Sequence, residues 1–205
     1  MSPGVYRDME AVAALEHDAE LMLRVKEGDE ASFELLLEKY RNSVVSYLYR
    51  MVQNQGVAEE LRQDVFLRVY RSRGSYEPTA KFTTWLFRIA THLALNSIRD
   101  HRHERGQESL DEAGEGARTI QVADHRKDRE QELLAEARLE EVRRAVAGLP
   151  DKQRAAVLMH KYQELDYLQI AAVLGCSTSA VKSLLFRAYE TLRARLSHLA
   201  EGSAL

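Results

Sequence analysis

The chain has 205 residues, enough for one or two domains that each bury a core. With 45% hydrophobic and 30% charged residues, only three prolines and no apolar run long enough to cross a bilayer, it reads as a helical protein without membrane insertion. A net charge of -3 excludes nucleic-acid binding through bulk positive charge, so any such binding must come from a local basic face.

Residues 1–17 form an N-terminal extension. MSPGVYRDMEAVAALEHD lacks the basic start and continuous apolar core of a signal peptide. A first helical domain is expected over 18–103 and opens with a short helix from Asp18 to Lys26. Asp29 then caps a long amphipathic helix in GDEASFELLLEKYRNSVVSYLYRMV, which Asn54 and Gly56 break. A third helix is predicted from Val57 to Arg71. Gly74, Ser75 and Pro78 mark a loop before a fourth helix from Phe82 to Arg102.

The fourth helix carries two stripes. Phe82, Leu86, Ile89 and Leu93 recur at helical spacing and point inward, while Lys81, Arg88, His92 and Arg99, flanked by Trp85 and Asn96, line an adjoining strip. Cations that track a phosphate backbone beside an aromatic ring that stacks an unpaired base suit single-stranded nucleic acid. Core packing is the competing role for Trp85.

Residues 104–130 follow as a polar strip. ERGQESLDEAGEGARTIQVADHRKDR holds three glycines and many charges with little apolar periodicity, which predicts a flexible linker and two domains with few mutual contacts. The second domain is expected over 131–199, with a tail at 200–205.

Within it, DYLQIAAVLGCSTSAVKSLLFR, from Asp166 to Arg187, has the pattern of a helix-turn-helix. Ala171 sits where two helices approach, Gly175 where the first must stop in a left-handed turn, and Ser177 where the second needs a cap. At about 100° per residue, Val181, Leu184, Leu185, Ala188 and Leu192 gather on one face of the second helix and Ser179, Lys182, Ser183, Phe186 and Arg187 on the other. The outward set has major-groove chemistry: cations for phosphates and guanine edges, a hydroxyl for either, and an apolar ring for a thymine methyl.

Taken together, LRQDVFLRVYRSRGSYEP, KFTTWLFRIATHLALNSIR and GLPDKQRAAVLMHKYQELDYLQIAAVLGCSTSAVKSLLFRAYETLRARL, in this order and spacing, closely resemble the extracytoplasmic-function sigma factors of bacterial RNA polymerase, in the sigma-70 family. The resemblance spans Asp18 to Leu196. It implies an all-α protein whose sigma2-like domain binds core polymerase and the minus-ten promoter element and whose sigma4-like domain reads the minus-thirty-five element. By position it assigns core polymerase binding to Gln63, Asp64 and Arg68. Minus-ten recognition and melting fall to Lys81, Phe82, Trp85, Arg88, His92, Asn96 and Arg99, next to the Ser75–Phe82 loop that receives a flipped base in similar proteins. Minus-thirty-five recognition falls to Ser179, Lys182, Ser183, Phe186 and Arg187, with Arg154 approaching the backbone. Core polymerase, through its clamp and flap, promoter DNA and an anti-sigma factor are the implied partners. In relatives the linker threads near nascent RNA, which gives Glu108, Asp111, Glu112 and Glu115 a possible place against basic channel walls, against the simpler role of a passive tether. The chain departs from the common pattern at His92, Ala180, Leu184 and Tyr189: a titratable ring in place of an amide leaves the identity of the flipped base open, and the missing arginines imply fewer phosphate contacts or a different upstream sequence.

The single cysteine, Cys176, permits no intrachain disulfide, and no Cys/His cluster has zinc spacing. No cofactor or metal is expected, and the expected location is the cytoplasm, at the nucleoid when active. Seven scattered histidines, no nucleophile-base grouping and no phosphate loop leave no basis for an enzyme. The alternative is a stand-alone helix-turn-helix regulator that does not bind core polymerase, which leaves WLFRIA and QDVFLRVY unexplained. A chain held chiefly by an inhibitor would be a regulated form of the sigma reading.

Overall fold

Leu21, Met22 and Val25 recur at helical spacing and are buried along one side of a first helix, α1, at residues 17–26. The computed structural model describes residues 17–107 and 126–201. The Asp29 side chain caps α2 (Glu30–Val52), accepting bonds from the Ser32 backbone N–H at 3.3 Å and the Ser32 hydroxyl at 2.7 Å. Those bonds hold its carboxyl below the usual carboxylate range. Gln53 ends α2 in the left-handed region at φ 57. Asn54 then caps α3 (Gln55–Arg71) by accepting the Val57 N–H at 3.1 Å, so the residue expected only to break α2 also starts the next helix.

A single 3-10 turn at Arg73–Ser75 leads through the loop to α4 (Phe82–Gln107). α4 runs past Arg102 into the strip expected to be linker, and α5 (Arg126–Ala147) begins before residue 131. Both extensions are charged sequence without an apolar stripe, which amphipathic periodicity cannot detect. α6 (Asp151–Tyr162), α7 (Tyr167–Leu174) and α8 (Thr178–Glu201) complete an all-helical chain, with no strand among the described residues. No single described helix is long and apolar enough to cross a membrane; α7 and α8 reach that length only as a pair bent by 99°.

The expectation of few contacts between the two halves is overturned. α7 packs on α4 and α6 on α2, and their buried side chains form one continuous core. Thr91 of α4 meets the Tyr47 hydroxyl of α2 at 2.8 Å and donates to Met159 Sδ of α6 at 3.9 Å. Ser43 donates to Gln163 at 2.6 Å, the Arg50 guanidinium lies 3.9 Å from the centre of the Tyr162 ring, and Arg102 meets Asp151 at 3.1 Å. These partners sit at isolated positions rather than on a periodic stripe, so helical periodicity contains no trace of them.

Arg154 occupies the junction and is only 8% exposed. Its guanidinium donates to the Met51 carbonyl at 2.5 Å, to the Leu149 carbonyl at 3.4 Å and to the Asp151 carboxylate at 2.8 Å. Met51 O is one of the last carbonyls of α2, which have no partner within their own helix, so Arg154 caps α2 from the other half of the chain. Burial pulls the guanidinium pKa below its ordinary value, and the Asp151 carboxylate opposes that shift. Arg154→Ala should lower the unfolding free energy by about 2–3 kcal/mol, because two buried carbonyls and a carboxylate lose a charged donor. Urea unfolding checks this; a midpoint equal to the wild type's would show that the tie contributes nothing.

Candidate nucleic-acid interface

The helix-turn-helix is built by local chemistry. Asp166 accepts the Gln169 N–H at 2.8 Å while the Gln169 side chain accepts the Asp166 N–H at 2.8 Å, a reciprocal cap that starts α7. Gly175 stops α7 at φ 62, ψ 41, and the following Cys176 N–H returns to the Ala171 carbonyl at 3.1 Å. Ser177 accepts the Ala180 N–H at 3.2 Å at the start of α8. Val181, Leu185 and Ala188 are buried, whereas Leu184 and Leu192 are half-buried at the edges of that face.

Ser179, Lys182, Ser183, Phe186 and Arg187 all lie exposed on the opposite side of α8, with Phe186 at 68%. An aromatic ring left this open has found no core, which suits a side chain kept for a partner. Ser183 donates to the Ser179 carbonyl at 3.1 Å, and its oxygen remains able to accept. Lys182 and Arg187 have no ion pair among the described residues; Glu190, one turn further on the same side of α8, is engaged with Arg193, and Glu140 and Asp151 with Arg143, Arg144 and Arg154. The chain therefore keeps a local positive face despite its negative total. Arg154 does not belong to it: the same guanidinium that ties the two halves is buried and committed, which corrects its assignment to the DNA backbone.

On α4, Lys81, Arg88, His92, Asn96 and Arg99 are all exposed, and their spacings of seven, four, four and three residues set them in one line along the helix. Arg99 pairs with the neighbouring Asp100 at 3.4 Å; Lys81 and Arg88 have no ion pair among the described residues. Phe82 departs from the group. It is 1% exposed and packs against Tyr40 and Tyr76, so it anchors the start of α4 and offers no surface to a base in this arrangement. Trp85 lies in the line of the exposed residues and is half-buried, its ring centre 5.0 Å from Tyr76 and 6.0 Å from Phe82. Its ring packs on these two aromatics and is partly exposed.

Tyr76 was not singled out by the sequence. It is buried beneath Trp85, its carbonyl accepts from Lys26 Nζ at 3.0 Å, and burial raises its phenol pKa. A lone aromatic in the otherwise polar GSYEP loop was the available sign. It pins the loop to the domain and sets the tilt of Trp85.

Gln63, Asp64 and Arg68 stand exposed on α3. Gln63 borders an apolar groove of about 450 Å³ between α2 and α3, lined by Phe33, Leu37, Phe66, Leu67 and Tyr70. Leu67 is 44% exposed there, a large apolar side chain in a polar helix face that helical patterning would have made hydrophilic. Glu108, Asp111, Glu112 and Glu115, and the extension up to residue 16, lie outside the described residues. Among the described residues no cluster of His, Cys, Asp or Glu could hold a metal ion.

Comparison with known proteins decides the family. Residues 36–104 match the model of sigma-70 region 2 and residues 139–192 that of sigma-70 region 4. The chain is 33% identical over 178 residues to the RNA polymerase sigma factor CarQ of Myxococcus xanthus, covering 87% of this chain and 97% of that one. It is 31% identical over 189 residues to the RNA polymerase sigma-H factor of Pseudomonas aeruginosa, covering 90% and 96%. The chain belongs to the extracytoplasmic-function sigma factors.

Its fold is likewise that of solved sigma factors. The sigma factor of a co-crystal with the anti-sigma factor NepR from Bartonella quintana superposes with a TM-score of 0.63 at 20% identity, over 80% of this chain and 96% of that one. CnrH, solved in complex with the cytosolic domain of CnrY, gives 0.62 at 21% identity, over 89% and 98%. In this sigma factor the turn of the helix-turn-helix depends on one backbone conformation. No atom lies within 4 Å of a side chain added at Gly175, so Gly175→Ala costs only the left-handed strain, about 1–2 kcal/mol. Thermal unfolding should show a correspondingly lower midpoint, with Gly175→Asn falling between the alanine variant and the wild type.

Proposed function

We propose that this sigma factor divides initiation between its two exposed basic faces and the α3 surface. The first domain, 18–103, binds core polymerase through Gln63, Asp64 and Arg68, and engages the minus-ten element through the α4 line of Lys81, Trp85, Arg88, His92, Asn96 and Arg99. The second, 131–199, reads duplex DNA at the minus-thirty-five element through Ser179, Lys182, Ser183, Phe186 and Arg187, and the linker joins them. The observation that carries this reading is that all of these side chains but the half-buried Trp85 are exposed, with Lys81, Arg88, Lys182 and Arg187 unpaired among the described residues, on helices whose other faces are buried.

Promoter opening without ATP follows from the same chemistry. Unstacking a base costs a few kcal/mol, and a site that stacks and bonds the extruded base recovers that cost only in melted DNA. Trp85, tilted by Tyr76 and bordered by Lys81 and Arg88, offers such a site. No catalysis is required of the chain. Residence in the cytoplasm, with nucleoid association when active, goes with this role, and an anti-sigma factor is a further expected partner, as NepR is for the Bartonella protein.

Engaging both elements requires the two halves to part. By their names the elements lie about 25 base pairs apart, roughly 85 Å at 3.4 Å per pair. In the closed arrangement α7 packs against both α4 and α8, and its eight residues span about 12 Å. Polymerase therefore binds the open form, and the contacts around Arg154 oppose it.

The experiment that tests the whole reading mixes the purified chain with bacterial core polymerase and DNA from upstream of its own gene. A stable complex that initiates at a defined start supports it; DNA binding without core association would establish the stand-alone regulator instead. Replacing Lys182 and Arg187 together by alanine should weaken recognition of the upstream element at least tenfold in footprinting while core binding is unchanged. Trp85→Ala should reduce permanganate-reactive open complex more than closed complex; equal losses of both would leave Trp85 a packing residue.

A further inference from the structure

A cavity of about 300 Å³ lies where α2 meets α5 and α6, and none of the residues assigned to DNA or to polymerase lines it. Of its apolar lining, Val146 and Leu158 are buried and Val142 is half-buried. Tyr49, Leu139 and Tyr162 also border it but stay exposed, Leu139 at 52%. Large apolar side chains left open around one cavity mark a surface that gains from being covered.

Two guanidiniums complete the lining, Arg50 from the first half and Arg143 from the second, and no acidic residue is among the described residues around it. Arg50 sits over the Tyr162 ring, its guanidinium carbon 3.9 Å from the ring centre, and has no ion pair among the described residues. An arginine held by an aromatic in this way keeps N–H donors for a carboxylate. Arg143 reaches Glu140 at 3.5 Å, in an exposed pair that Arg144 shares at 3.3 Å. One carboxylate between two guanidiniums leaves a positive charge unanswered on that turn of α5, and an exposed pair of this length is readily exchanged.

We propose that this cavity binds a small carboxylic acid with a flat apolar body, whose carboxylate meets Arg50 and Arg143 while the body lies against Tyr49, Leu139 and Tyr162. A bare inorganic anion would leave the apolar walls wet, and a neutral hydrocarbon would desolvate two guanidiniums without answering their charge. The volume is at the lower end for small-molecule sites, and the junction between two domains is a favoured place for them. Because α2 belongs to the first half and α5 and α6 to the second, the complete lining exists only while the halves are closed. A ligand there adds to the tie made by Arg154. On the reading that polymerase takes the open form, it therefore holds the sigma factor back from core.

Isothermal calorimetry of the full chain with naphthoate, and with naphthalenemethanol as its uncharged counterpart, reads the site directly. Naphthoate should bind saturably at one site per chain, and the alcohol at least tenfold more weakly, because it cannot accept charged hydrogen bonds as a carboxylate does. L139E sets a like charge on the exposed wall of the cavity and should weaken naphthoate at least tenfold. L168E adds the same charge at an exposed position of α7 outside the cavity and should bind as the wild type does. Absence of saturable binding to the wild type at millimolar naphthoate overturns the proposal, and so does an L139E affinity equal to the wild type's. Core polymerase affinity with saturating naphthoate should fall for the wild type and hold for L139E. Naphthoate binding that L139E abolishes, with core affinity unmoved, would overturn the need for the halves to part and leave the site established.

Discussion

The guanidinium of Arg154 is the interaction on which this arrangement turns. A buried cation is costly unless its charge is answered, and here the two terminal nitrogens are answered by the Met51 carbonyl at the end of α2, the Leu149 carbonyl before α6 and the carboxylate of Asp151, while the buried Nε has no partner among the described residues. Because one of those acceptors belongs to the first domain and the others to the second, satisfying the charge brings the domains together. Thr91, Met159, Ser43, Gln163 and the Arg50–Tyr162 stack then fill in around a contact already made obligatory.

That same closure sorts the charged residues by task. Arg154 and Arg102 are spent on Asp151, and Glu140 and Glu190 take up Arg143, Arg144 and Arg193. Among the cations left unpaired on the second domain are Lys182 and Arg187, which face outward along α8. A chain with a net charge of -3 can therefore present a positive surface to DNA, since the field at short range follows the unpaired cations and not the sum. The closed form leaves both basic faces exposed.

Much of this was legible in the residues themselves. Asp29, Gly175 and Ser177 each specify a local bond or a backbone angle that needs no distant partner, and each appears where the pattern put it. The lines of Lys81, Arg88, His92, Asn96 and Arg99 and of Lys182, Phe186 and Arg187 follow from helical periodicity alone. Arg154 and Phe82 were misjudged for one reason: a motif names a residue type, but exposure depends on what packs over it. The apolar groove beside Gln63 and the aromatic support from Tyr76 escaped because each joins positions far apart in the chain.

By itself, then, the sequence determined the helices, their caps, the helix-turn-helix and the family, because those rest on interactions within a few residues or on patterns repeated along one element. Only the tertiary structure decided that the two domains close on one another, that Arg154 is a tie between them, and that Trp85 is held half-open by Tyr76. Such outcomes depend on desolvation, and the desolvation of a side chain is set by residues from another part of the chain.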